Sequence, residues 1–190
     1  MNRILLSTFA LIAVMGCAAC NSGLAGTLQP ATFTAQDETA VRTIVSEFAN
    51  TWNRHDMKAM HELDTEDVQW VNDSGNRWRG KAVVYKGHDA IHRTIFAKTG
   101  MTVEQTDIRA ITPDVAVAVA TLHFGPLTDP SGRSVKDLKT RASFTMVKRD
   151  DSWKIVHFHN TDVDPEAEKS DPVTWEETGF IDSWNKSHRK

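Results

Sequence analysis

His88 and His92 stand four residues apart, a spacing that in a helix stacks both imidazoles on one side, one turn above the other. Two rings so placed can relay a proton, because histidine titrates near neutrality, or can offer two ligands to a metal ion. His157 and His159 are two apart in a strand-like run and leave a strand by one face, the face that Trp153 and Ile155 also take by simple alternation. That face is either the wall of a pocket or a subunit interface. Arg141 can hold a carboxylate through two parallel hydrogen bonds, as a ligand clamp or as the partner of Asp56, and is otherwise a surface arginine on a hairpin. Trp52, Trp70 and Trp78 can wall an apolar cavity or simply fill the core. The run from His88 to His92 has the histidine spacing of a zinc protease helix. Asp89, however, is one methylene shorter than the glutamate that must reach a metal-bound water there, and no spacing supplies a third ligand from His123, His157 or His159. No metal is assigned.

These side chains need elements to position them. Thr34, with Asp37 and Glu38, has the chemistry of a helix start, and Val41, Ile44, Val45, Phe48 and Trp52 follow on one helical face. Asn53 to Asp56 breaks that helix, with Asp56 capping a short second helix over 57–63. Val68 to Val71 reads as a strand. A third helix is predicted over 81–98, with Val84, His88, Ile91 and Ile95 on one arc and His92 at its edge. A buried neutral imidazole still needs partners at both nitrogens, so His88 either meets a structural partner or faces a pocket. Strand-like runs then cover 102–111, 115–124, 140–148 and 153–161. Tight turns at Thr112–Asp114 and Arg149–Ser152 make antiparallel hairpins of the first pair and the last, while 125–138 is a long, mobile connection. Helices followed by strands indicate an α+β fold, with helices covering one face of a curved antiparallel sheet.

The chain of 190 residues allows one domain with tails, and 40% hydrophobic content is enough for a core. With 22 basic and 25 acidic residues scattered along it, the chain has no basic field for nucleic acid. Residues 1–20 have a positive start, an apolar stretch and small residues, the grammar of an export signal, and that stretch is too short to span a bilayer comfortably. Val14-Met15-Gly16-Cys17 resembles a bacterial lipoprotein box, with Cys20 as a second lipidation candidate; the alternative is unlipidated secretion after cleavage near Ala19 or Ala25. Localisation in the periplasm or cell envelope follows, with membrane contact only through such an anchor. Both cysteines fall in this segment, which excludes a disulfide framework in the body. Residues 21–33 read as a flexible tether, 34–162 as the folded domain, and 163–190 as a polar tail whose Trp175, Phe180, Ile181 and Trp184 either dock or stay loose.

Four stretches carry a resemblance: Phe48 to Asp56, Trp78-Arg79-Gly80 leading into His88 to Phe96, Thr112 to Val117, and Arg141 with Trp153 to Val156 and Asn160-Thr161. Together they resemble the SgcJ/EcaC group of the SnoaL-like proteins, within the nuclear transport factor 2-like, cystatin-like superfamily. Trp153 to His159 also resembles the last strand of the calcium/calmodulin-dependent kinase II association domain. The resemblance implies a sheet wrapped around a long helix as a conical pocket, and a homodimer paired through the sheet. No motif supplies a nicotinamide or flavin site, so no cofactor is assigned. Three functions stay open. One is a binding domain holding a small, partly apolar molecule among His88, His92, His157, His159 and the three tryptophans. The second is a cofactor-independent isomerase, cyclase or hydrolase with His88 or His92 as base and Arg141 or a second histidine stabilising charge. The third is an assembling lipoprotein.

Overall fold

The computed structural model describes residues 32–129 and 131–188; the expected export signal with Cys17 and Cys20, and the tether up to residue 31, lie outside the described residues. Helix α1 (Ala35–Asn53) starts at a reciprocal cap in which Asp37 N–H donates to the Thr34 hydroxyl and Thr34 N–H donates to the Asp37 carboxylate. The same carboxylate accepts from Lys148 Nζ (2.9 Å) and Trp153 Nε1 (3.1 Å), which ties the start of α1 to the sheet. These donors hold the Asp37 carboxyl well below the ordinary carboxylate range. The predicted face, Val41, Ile44, Val45, Phe48 and Trp52, is buried. Asp56 caps α2 (Met57–His61) by accepting from Ala59 N–H.

Strands β1 (Asp64–Val71) and β2 (Arg77–Arg79) precede α3 (Lys81–His92). The third helix ends at His92 rather than running to Lys98. Beyond it the chain turns so that Phe96 packs on Trp52 and Phe124, at ring distances of 5.1 and 5.8 Å. Packing there overrides helical periodicity. Then come β3 (Met101–Thr112), β4 (Val115–Phe124), β5 (Leu127–Thr128), β6 (Ser134–Val135), β7 (Leu138–Arg149) and β8 (Ser152–Asp162). The main sheet has the order β2-β1-β8-β7-β4-β3, with β1 and β8 parallel and the other pairs antiparallel. The long connection contains the small β5–β6 hairpin. In the tail, α4 (Pro165–Lys169), a single 3-10 turn and α5 (Phe180–His188) bury no residue.

The sheet curls around α1. Ala116, Ala118, Ala120 and Ala142 line its inner face, where small side chains let backbone layers approach, and Phe144, Phe158 and Trp70 surround Phe48 at 5.3, 5.6 and 6.0 Å. This matches the α+β cone expected from the sequence. One irregularity sets the faces of β8. Thr145 pairs with His157 while Met146 pairs with Ile155, so Val156 is an extra residue and the alternation inverts across it. Trp153, Ile155 and Phe158 are therefore all buried inside.

Truncating Phe144 to alanine should cost about 3–5 kcal/mol in urea unfolding. Deleting Val156 should cost less, because it removes only the extra residue: the Met146–Ile155 and Thr145–His157 pairs can both persist, and Phe158 stays inward.

Candidate functional site

The bulge at Val156 corrects the expected placement of His157 and His159. Both lie past it, so they leave by the outer face of the sheet, opposite to Trp153, Ile155 and Phe158. Arg141 also points outward, beside Thr121 on the next strand; its guanidinium donates to the Thr121 hydroxyl and pairs with Glu168 at 3.1 Å. The sheet thus separates Arg141, His157 and His159 from the helix histidines.

His88 and His92 do point inward, 4% and 6% exposed. The three tryptophans gather on His88 at ring distances of 6.3 Å (Trp52), 4.7 Å (Trp70) and 5.5 Å (Trp78), and Trp52 reaches His92 at 4.2 Å. Trp78 comes from the short edge strand β2 and lies on α3 where Gly87 leaves room; a Cβ there would stand 2.7 Å from the indole.

Three partners escaped the sequence reading. His61, at the end of α2, bonds through Nδ1 to Asp64 Oδ2 at 2.7 Å, with side chains only 2% and 1% exposed. Its ring lies 4.8 Å from His88. His55, in the left-handed conformation at the break after α1 (φ 54°), meets His92 with its Nδ1 2.8 Å from the other Nδ1. A signal existed for His61: Met57, Met60 and His61 recur at helical spacing, and all three are buried. None existed for His55, whose left-handed backbone turns it toward α3.

Four imidazoles and one carboxyl therefore converge where α1, α2, β1 and α3 meet. His88 Nδ1–H donates to the Val84 carbonyl at 3.1 Å, which leaves Nε2 as the basic nitrogen. Burial, and then the neighbouring His61 and His92, push the His88 pKa well below its ordinary value. Burial followed by His55 and His61 lowers His92 to about 4, against the opposing pull of Asp89. Burial raises Asp64, while the hydrogen bond and charge of His61 resist the rise. His88 and His92 are thus neutral imidazoles. His61 Nε2 and His92 Nε2 are buried without a hydrogen-bond partner among the described residues, a cost of about 1–3 kcal/mol for each such group. Neutral rings with bare nitrogens can accept a proton or bond a polar ligand atom. Among the described residues, no three His, Cys, Asp or Glu side chains converge to hold a metal ion.

The cluster is closed. One surface cleft, of about 520 Å³, lies by Asp37, Asp114 and Lys148, and another, of about 350 Å³, lies between Thr94–Thr99 and Pro126–Thr128. Neither is lined by the four histidines, and around His88 and His92 the space is packed by the rings of Trp52, Trp70 and Trp78.

Stability should fall as pH drops from about 6.5 toward 4. The folded pKa of His92 is lowered, so between those limits the unfolded chain binds the extra proton and folding weakens. Thermal melts from pH 7 to 4.5 should show wild type losing roughly 2–3 kcal/mol more than His92→Leu. Asp64, shifted the other way, contributes equally to both proteins.

The SnoaL-like domain family matches residues 41–161. An uncharacterised Caulobacter vibrioides protein with a cystatin-like fold shares 30% identity over 73% of this chain and 97% of its own, with a TM-score of 0.70. An NTF2-like protein from Novosphingobium aromaticivorans (18% identity, 70% of this chain and 86% of its own, TM-score 0.59) has the same fold. So does a ketosteroid isomerase-like protein from Erwinia carotovora (16%, 70% and 100%, TM-score 0.58). No curated protein matches the sequence. The curled sheet agrees with these matches: the chain belongs to the SnoaL-like family, on a cystatin-like fold.

Proposed function

We propose that this is an exported domain that binds a small, partly apolar molecule against the histidine–tryptophan cluster, entering beneath Trp78, and that it works as a homodimer through the outer face of the sheet. The observation that carries the binding reading is the pair of buried, unpartnered nitrogens, His61 Nε2 and His92 Nε2, beside His88 and walled by Trp52, Trp70 and Trp78. A core serving stability alone gains by replacing such groups with apolar side chains. Closed packing by itself also suits a purely assembling role; the bare nitrogens favour binding. The chemistry suits a flat ring bearing a hydroxyl. With Nδ1–H given to Asp64, the His61 Nε2 accepts, and His88 Nε2 accepts for the same reason.

The His61–Asp64 pair favours one second reading, acid–base catalysis. A buried carboxylate that orients an imidazole and steadies its protonated form is what a general base requires. In that reading His61 replaces His88 or His92 as the base, and Arg141 has no part because it lies across the sheet. Neither reading invokes a metal or an organic cofactor.

Melting curves with a panel of substituted phenols and aromatic ketones test the binding reading. At least one compound at about 100-fold its Kd should stabilise the wild type by about 2.7 kcal/mol, and His61→Ala or His88→Ala should abolish the effect. A wild type that responds to nothing, together with a His88→Phe variant more stable than wild type, would make the imidazoles structural. Export and lipidation are tested by Cys17→Ser and Cys20→Ser separately: one of them should release the protein from membranes, and release by neither rejects the anchor.

A further inference from the structure

We propose that the acidic tail after β8 lies across the basic outer sheet face of a second copy of this chain, with Phe180 and Trp184 of α5 as anchors. This rests on the sheet-paired homodimer proposed above and adds what holds it together.

Strand pairing places Arg77, Arg79, Arg109, Lys139 and Arg141 on the outer face, against Asp107 and, at the rim, Glu104 beside His123. Val117, Val119, Ser143 and Thr145 form an uncharged strip between them, with Val119 41% exposed. Two such faces laid directly together would oppose like charges. The tail is the complement: residues 163–190 carry seven carboxylates against three lysines and one arginine. One contact of this kind already exists. Glu168 on α4 pairs with Arg141 at 3.1 Å and reaches Lys139 at 3.8 Å, so the root of the tail stands at the edge of its own outer face.

Beyond that root the tail does not lie on its own sheet. No α5 residue is buried, and Trp184 is 53% exposed. Yet the aromatics form a continuous ladder, Trp175 to Phe180 at 4.6 Å and Phe180 to Trp184 at 6.0 Å. A nine-residue helix is too short to persist alone in water, where roughly 12–15 residues are marginal. It needs a surface, and aromatic side chains are the usual anchors of one. The family match stops at residue 161, so the tail lies beyond the residues that the family model covers.

Sedimentation velocity on the purified chain tests this. The wild type should be a dimer that loosens between about 0.05 and 0.5 M salt, as screened charges require. Two variants, Phe180→Ala/Trp184→Ala and Arg77→Glu/Arg79→Glu/Arg109→Glu, each folded by circular dichroism, should each dimerise at least tenfold more weakly. Mixed, they should recover a heterodimer, because the intact tail of the second meets the intact face of the first. A monomeric wild type overturns both the pairing and the tail. An undiminished Phe180→Ala/Trp184→Ala dimer leaves the sheet pairing standing and overturns the tail. Failure of the mixture to associate assigns the tail to its own sheet and overturns the exchange. Wild-type co-sedimentation with phosphatidylglycerol vesicles that needs Trp184, with dimerisation unaffected, assigns α5 to a lipid surface and overturns it too.

Discussion

Between the Thr145–His157 and Met146–Ile155 pairs, the last strand carries one residue more than its neighbour, and the two faces of the sheet exchange side chains there. Everything inside the cone depends on that inversion. Phe158 enters the core, stacks on Trp70 at 3.9 Å and completes the ring of aromatics around Phe48. His157 and His159 go outward, where they cost the core nothing. The same residues in regular alternation, with no bulge to take up Val156, would place imidazoles against Phe48 and leave a phenylalanine in water.

The interior thereby gained is apolar at one end and polar at the other. Near the start of α1, Asp37 is spent on structure: its donors are its own cap, Lys148 and Trp153. Beneath Trp78, four imidazoles and Asp64 share a space where α1, α2 and α3 converge, and not all of their nitrogens are paired. Burial keeps His88 and His92 uncharged, which makes the cluster compatible with its tryptophan walls. An unpaired polar atom in such a setting is a standing cost, and a bound polar group is the most direct way to remove it.

The outer face follows a different logic. It is broad, basic and only partly apolar, while the acid that would balance it sits in a tail outside the shared domain. Interior and exterior thus draw on different parts of the chain: the first on the rings around His88, the second on a segment beyond the family match.

The sequence by itself determined the elements and their class. A capping residue with two acids behind it, an apolar stripe at helical spacing and four β-branched runs between turn signals depend on neighbours within a few residues, so α1, β3, β4, β7 and β8 were legible, as was the inward aim of His88 and His92. Tertiary structure decided the rest. Alternation places His157 and His159 beside Trp153 unless a residue is inserted, and only pairing with β7 reveals Val156 as that residue. His55, His61 and Asp64 became part of the site because the break after α1 and the packing of α2 on α3 bring them to it. Local patterns follow from covalent spacing, whereas a face is assigned only when two strands are hydrogen-bonded and a cluster only when separate elements meet.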